Sequence, residues 1–220
     1  MPTRAAPGGA YILSADHIIS QARLRHIVAA LSCVHYGDPT SKYEGDSSRG
    51  TLTHFTGTGK EVGLAWAGTG VAAVVYDKNY THPLEPEDAF ADAPRALSEL
   101  IGRARALLID LTGGFWLLDD VASRKPPFPA RDGLHLLNGY VVAPEDALFS
   151  DLVHPNWVTQ SSITDEQGRL AIRLAADTRP TVLRPEDIAI ALEPYMDPPT
   201  AFNIENAKAM FAQVGIVWPS

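Results

Sequence analysis

Apolar residues recur at helical spacing in three parts of the chain, and each part predicts an amphipathic helix. The first runs over residues 14–32, and we expect His26 on its solvated face. The second begins at Pro94, and the third extends from an N-cap at Asn203 to Gly215, which ends it. The predicted buried face of the first helix consists of Leu24, Ile27, Val28 and Leu31. That of the second consists of Leu97, Leu100, Ile101, Ala104, Leu107 and Leu108.

Between the first two helices, an alternation of large and small residues predicts a β-meander. Residues 51–56 are rich in threonine and aromatic side chains. The next strand places Val62, Leu64 and Trp66 on one face and only glycine and alanine on the other. Residues 70–77 complete the set. The small residues would let a helix or a second sheet approach closely.

Two further strand regions are predicted closer to the C-terminus. The apolar run 115–118 is typical of a buried strand. Residues 157–164 and 169–175 flank the sequence DEQG, and the second of these segments alternates apolar residues with arginines. We therefore predict a hairpin here, with DEQG as its turn. Its apolar face would be Leu170, Ile172 and Leu174.

The sequence Pro-Glu-Asp occurs three times, beginning at Pro86, Pro144 and Pro185. Proline at the first helical position lacks only an N–H that the helix does not need, and the acids face the positive end of the helix dipole. Each occurrence therefore predicts a helix start. The spacings of 58 and 41 residues fit no repeat array.

Strands in hairpins, with helices set between the groups, predict an α+β fold in which an antiparallel β-meander and hairpins pack against several helices. We treat residues 1–220 as a single globular domain, with a possible internal seam in the proline-rich segment 120–133. Residues 35–50 show no periodic pattern. A polar connection of this length tends to be functional or disordered.

The charge is distributed unevenly. Residues 1–80 carry 7 Lys and Arg against 6 Asp and Glu (+1), residues 81–220 carry 11 against 20 (−9), and the sum is −8. Such a surface repels phosphate backbones and anionic lipids, so we expect neither nucleic-acid nor membrane binding.

The longest apolar run, 71–76, is too short to span a membrane. The single cysteine, Cys33, excludes an internal disulfide framework, and we expect a cytoplasmic protein.

The glycine-rich stretch HFTGTGKEVG, residues 54–63, invites comparison with phosphate-binding loops. In that alignment His54 occupies the position of the first glycine, and Glu61 stands where a hydroxyl must hold magnesium. A hairpin is the better interpretation.

The seven histidines include no helical i, i+4 pair with a glutamate, and the chain has no EF-hand loop, so we expect neither a metal site nor a cofactor.

Two short motifs resemble those of the GDSL/SGNH ester hydrolases: the Gly-Asp-Ser sequence that ends at Ser47, and Asp151-x-x-His154. The resemblance implies a serine ester hydrolase in which Ser47 is the nucleophile, His154 the base and Asp151 the carboxylate that orients it. His135, in a second Asp-x-x-His sequence, is an alternative base. The chain lacks the Gly-x-Asn-Asp motif that supplies the family's oxyanion-hole asparagine.

Because no complete catalytic motif is present, our first hypothesis is a non-enzymatic protein-binding module with a basic partner, as an immunity protein that neutralises a basic toxin would be. The ester hydrolase is the alternative. A third possibility is a small-ligand domain with its pocket between the meander and the helix at Pro94. For the first hypothesis, tyrosines and acids around the polar loop form the expected partner surface: Tyr36, Asp38, Tyr43, Glu44 and Asp46.

Overall fold

The computed structural model describes residues 11–55, 59–80, 85–126, 128, 133–141, 163–193 and 198–219. Six strands form one antiparallel sheet in the order of the sequence. They are β1 (Ser41–Gly45), β2 (Arg49–Phe55), β3 (Lys60–Ala67), β4 (Gly70–Asp77), β5 (Gly113–Leu118) and β6 (Val121–Ala122). Helices cover the sheet on both sides, which confirms the predicted α+β fold and its β-meander.

The first helix, α1 (Ala15–Tyr36), lies against one face of the sheet and is longer than predicted. Ser14 is its N-cap, and Gly37, in the left-handed conformation with φ 79°, ends it. The expectation of a solvated His26 is wrong, because this side chain is 0% exposed. Its Nε2 lies 2.9 Å from the carbonyl oxygen of Met210, and its Nδ1 contacts the hydroxyl of Ser41. Helix α1 is buried nearly all round, so the stripe of leucine and isoleucine marks only part of its buried surface.

The other face of the sheet packs against a short helix, α3 (Ser98–Arg105), which follows a 3-10 turn at Arg95–Leu97. A Cβ added to Gly63 would lie 2.8 Å from Val74 and 3.0 Å from Leu107, so only glycine permits this approach. The predicted role of the small residues is therefore confirmed. Buried apolar residues pack closely at this interface, and a ligand pocket between the meander and this helix stays a prediction.

Short helices connect the main elements. These are α2 (Pro86–Ala89), a 3-10 turn at Leu134–Leu137 that continues into α4 (Asn138–Val141), and α6 (Pro185–Ala191). Two of the three predicted Pro-Glu-Asp helix starts, at Pro86 and Pro185, are confirmed. The third, at Pro144, lies outside the described residues.

The predicted hairpin around DEQG is wrong, because residues 165–176 form a helix, α5 (Asp165–Ala176). Thr164 caps it: its hydroxyl accepts a hydrogen bond from the backbone of Gln167, whose side chain accepts from the backbone of Thr164. The alternation was misleading, since Ile172 is 40% exposed while Leu170 and Leu174 are buried. The buried pairs of this helix follow a helical period: Leu170, Ala171, Leu174 and Ala175.

The chain ends with α7 (Ala201–Gln213), which is capped by Thr200 rather than by the predicted Asn203. Gly215 adopts φ 71° just after the helix, as its predicted role as helix terminator requires. Two short strands, β7 (Thr181–Val182) and β8 (Ile216–Val217), then pair in parallel. Both α5 and α7 pack against α1.

One continuous hydrophobic cluster extends from α1 through the inner face of the sheet to α4, α5, α7 and β8. It includes Phe128, from the segment predicted as a seam, whose ring contacts Phe115 with centroids 5.2 Å apart. The unpatterned segment 35–50 is not a simple loop, because it contains the edge strand β1 and the start of β2.

Candidate functional site

A cleft of about 430 Å³ opens between the N-terminal half of α1, the turn from β1 to β2, and the ends of α5 and α7. Its size falls within the usual range for small-molecule sites. The helix α1 contributes residues spaced as one face of a helix, and the other elements close the opposite sides. Its lining includes Asp16, Ile19, Ser20, Arg23, Tyr43 and Asp46.

Arg23 is the most unusual residue in the cleft, because its side chain is charged and the residue is only 8% exposed. Its Nη1 donates to the carbonyl oxygen of Val214 at 2.7 Å, and its Nη2 donates to that of Asp177 at 2.9 Å. Burial lowers the pKa of this guanidinium, and the nearby charges of Tyr43 and Asp177 act in the opposite direction. The Nε atom is buried and has no hydrogen-bond partner in the described part of the chain.

Tyr43 lies in the same cleft, and its position is fixed on three sides. Its ring centroid is 5.6 Å from that of His26 and 5.3 Å from that of Trp66. Its backbone N–H donates to Oε1 of Gln213 at 2.8 Å. Burial raises the pKa of the Tyr43 hydroxyl.

Trp66 also supports the turn that forms one wall of the cleft. Its indole Nε1 donates to the carbonyl oxygen of Asp46 at 2.7 Å. The Asp46 carboxylate accepts hydrogen bonds from the hydroxyl and the backbone of Ser48 and from the backbone of Arg49. These bonds, those of Ser48 first, lower the pKa of Asp46, so its carboxylate is charged at neutral pH.

The predicted partner surface is divided by the structure. Asp38 and Glu44 are exposed, and Glu44 forms an ion pair with Lys42 at 2.5 Å. Asp46 lines the cleft. Tyr43 is 3% exposed, so the expectation that its ring projects from a loop is wrong. Strand β1 alternates inward and outward residues, and Tyr43 points inward.

Tyr36 remains available for contact, because it is 49% exposed at the last position of α1. Phe202, the second residue of α7, is 69% exposed, and the start of α7 is hydrogen-bonded to the end of α1. Asn203 donates to the carbonyl oxygen of His35 at 3.0 Å, and Asn206 donates to that of Gly37 at 2.8 Å. These bonds hold the two helix ends together on either side of Tyr36. We call Tyr36, Asp38 and Phe202 the aromatic–acidic patch.

The hydrolase residues do not come together among the described atoms. Ser47 is exposed in the β1–β2 turn, and its hydroxyl makes no hydrogen bond to another described residue. His135 instead lies 3.8 Å from Asp77, which ends β4. The β1–β2 turn lies at the Ala67 end of β3, and Asp77 lies at its Lys60 end. At about 3.3 Å per residue these ends are roughly 20 Å apart, so Ser47 cannot pair with His135. Asp151 and His154 lie outside the described residues.

Other reactive groups are buried within the fold. Burial raises the pKa of the Cys33 thiol to about 11, which leaves it protonated and unreactive. Burial also lowers the pKa of His26 to about 4 and that of His54 to about 3, so both are neutral.

In the described part of the chain, no group of three or more His, Cys, Asp or Glu residues is placed to hold a metal ion. Within the same residues no helix is long and apolar enough to cross a membrane.

Comparisons with protein-family models, with curated proteins and with solved structures found no match. The site must therefore be judged from its own chemistry.

Sequence reasoning missed Arg23 and Phe202. The signal for Arg23 was present, since Asp16, Ser20 and Arg23 are polar at spacings of four and three along α1 and so share one face of the helix. No comparable pattern marks Phe202.

Proposed function

We propose that this protein is a non-enzymatic binding protein whose partner is a basic protein, and that contact occurs at the aromatic–acidic patch. The observation that carries the proposal is the exposure of two aromatic side chains, Tyr36 and Phe202, and of the acid Asp38 at helix ends that are hydrogen-bonded to each other. Isolated exposed apolar residues are common on protein surfaces. Paired aromatic residues next to an acid are typical of interaction surfaces, where aromatic anchors provide much of the binding energy.

Close packing and two hydrogen bonds join the helix ends beneath the patch, and such constraints reduce the entropy lost on binding. Gly37 is held at φ 79°, and a Cβ at this position would lie 2.7 Å from Oδ1 of Asn203. The glycine thus permits the tight contact between the end of α1 and the start of α7. Tyr36 and Phe202 are both exposed on this backbone.

Charge favours a basic partner. No cation lies within ion-pair distance of Asp38 among the residues that the structure describes. The chain carries a net charge of −8, so long-range attraction would speed association with a cationic protein. An immunity protein that neutralises a basic toxin is the kind of protein this combination suits. A cytoplasmic location belongs to the same proposal and is supported by the lone, buried Cys33.

The test is affinity purification of the tagged protein from its native cells at low salt, with identification of the proteins that co-purify. We expect a basic protein that is released as the ionic strength rises, because screening weakens charge pairing. The double variant Tyr36→Ala/Phe202→Ala should not retain it. Recovery of the same proteins by wild type and double variant at every salt concentration would refute the proposal.

The alternative, a serine ester hydrolase, finds no support in the geometry around Ser47, whose hydroxyl has no base beside it in the described residues. An activity-based fluorophosphonate probe tests it directly. Labelling of the wild type that is lost in Ser47→Ala would establish the hydrolase and overturn the non-enzymatic proposal. We expect no labelling of either protein.

A further inference from the structure

The cleft is a separate feature from the aromatic–acidic patch. Arg23 and Tyr36 are thirteen residues apart on α1, which corresponds to about 20 Å at 1.5 Å per residue. The cleft lies near the start of α1 and the end of α7, whereas the patch lies at the end of α1 and the start of α7. A function of the cleft must therefore be argued from its own residues.

The floor of the cleft carries the positive charge of Arg23, which the nearby charge of Asp177 offsets only in part. A guanidinium has five N–H donors, and two of those of Arg23 are used by backbone carbonyl groups. No carboxylate forms an ion pair with Arg23 in the described part of the chain, and the Asp177 carboxylate is engaged by Arg179. Burying a charge without a counter-ion is costly. An anionic group entering the cleft would remove that cost and fill the remaining donors.

Tyr43 adds a second donor to the lining of the cleft. Its hydroxyl forms no hydrogen bond within the described residues, although the ring is buried and held between His26 and Trp66. A phenol fixed in this way is ready to donate to a carboxylate without further ordering. Arg23 and Tyr43 together therefore offer three kinds of donor atom to one anionic group.

The rim of the cleft has the opposite charge. The carboxylates of Asp16 and Asp46 line it, and neither has an ion-pair partner among the described side chains. Two carboxylates would repel a phosphate dianion as it entered. They would attract an ammonium group instead. Between rim and floor, the walls include the apolar side chains of Ile19, Ala175 and Val214.

We infer that the cleft binds a short zwitterionic peptide, with its C-terminal carboxylate on Arg23 and Tyr43 and its N-terminal ammonium on Asp16 and Asp46. The length follows from α1. Asp16 and Arg23 are seven residues apart, about 10 Å along the axis, and a long helical side chain leans toward the N-terminus and shortens that span. An extended chain of two or three residues covers about 7–10 Å. A single amino acid carries both charges on one carbon and cannot reach both ends.

Isothermal titration calorimetry with trialanine tests the inference, with trialanine amide, N-acetyl-trialanine and alanine as matched ligands. We expect trialanine to bind, and the amide to bind about tenfold or more weakly, because it removes a charge-assisted hydrogen bond. The N-acetyl form should bind several-fold more weakly, and alanine should give no measurable heat. Absence of binding by trialanine at about 10 mM, or equal binding of acid and amide, would overturn the inference.

Variants separate a specific site from adventitious binding. Tyr43→Phe keeps the ring and should weaken trialanine binding several-fold, so the test does not depend on whether an Arg23→Met variant folds. Asp16→Asn should also weaken it, whereas Asp165→Asn should not. Asp165 is the matched control, because it too is an exposed aspartate in the first turn of a helix but lies outside the cleft. Equal loss in Asp16→Asn and Asp165→Asn would contradict the proposed placement of the ammonium.

Discussion

Replacing Gly50 with alanine tests how the wall of the cleft is built. Gly50 lies in β2, opposite Trp66 of β3. An added methyl group would lie 2.2 Å from Cζ2 of Trp66 and 2.6 Å from the carbonyl oxygen of Glu44. The carbonyl belongs to the paired backbone of β1 and cannot move aside cheaply, so the indole ring must shift. That shift would strain the hydrogen bond from Trp66 to Asp46 and the ring contact with Tyr43.

The magnitude follows from two contributions. Overpacking a filled core costs about 1–3 kcal/mol. Weakening the Trp66–Asp46 hydrogen bond adds about 1 kcal/mol. We therefore expect Gly50→Ala to lower the free energy of unfolding by about 2–4 kcal/mol, or the melting temperature by roughly 5–15 °C for a chain of this size.

Urea denaturation followed by far-ultraviolet circular dichroism measures the change without depending on tryptophan emission. Gly102→Ala is the matched control, since Gly102 lies in α3 and an added Cβ would meet nothing within 4 Å. There alanine should be neutral or stabilise by about 0.5–1 kcal/mol, through its better helix propensity. If Gly50→Ala unfolds within about 0.5 kcal/mol of wild type, the ring is not held where the structure places it.

Two further predictions concern the interior and the corrected helix. In the folded protein the pKa of His26 is about 4 and that of His54 is about 3, whereas a histidine in the unfolded chain has a pKa of about 6.5. The unfolded chain therefore takes up more protons than the folded protein as the pH falls below about 6.5. Stability is therefore greatest above that pH and should drop by about 3 kcal/mol between pH 6.5 and pH 5, measured by urea unfolding, because each histidine goes from half protonated to almost fully protonated in the unfolded chain and contributes about 1.6 kcal/mol. Equal stability at the two pH values would contradict the burial. Thr164→Ala should cost about 1 kcal/mol, because it removes the hydroxyl that caps α5, and a change below about 0.3 kcal/mol would argue against a helix starting there.

The central sheet could be predicted from the sequence because its pattern is local. Val62, Leu64 and Trp66 face α1 while Gly63 and Ala65 face α3, so the alternation of large and small residues matches the two sides of β3. Strand β1 carried no such signal. It is a short edge strand in which Ser41 and Tyr43 point inward between charged residues.

Two of the incorrect predictions, the hairpin around DEQG and the solvated His26, have a common cause, which is that the burial of side chains decided between local patterns. Alternation in residues 169–175 resembled a strand, but the cap at Thr164 and the buried pair Leu170 and Leu174 fit a helix. His26 fell outside the apolar stripe of α1, yet Ser41 and Met210 provide hydrogen-bond partners that allow it to be buried. Those partners are 15 and 184 residues away in sequence, beyond the reach of any periodicity.

The candidate sites could be predicted only in part, since each combines residues that are distant in sequence. Tyr36 and Asp38 were expected at a partner surface, but Phe202 joins them only because α7 packs on the end of α1. Asp46 and Tyr43 were also expected there. Their position in the cleft depends on Trp66 and Gln213, which hold the turn and the edge strand in place.

The most direct test of the account is the affinity of the purified partner for wild type and for Tyr36→Ala/Phe202→Ala. Loss of two aromatic anchors, each worth about 2 kcal/mol or more, predicts a dissociation constant at least 100-fold higher. Ile109→Ala is the control, because Ile109 is fully exposed just beyond α3 on the other side of the sheet and should bind as wild type. An unchanged dissociation constant in the double variant would contradict the account.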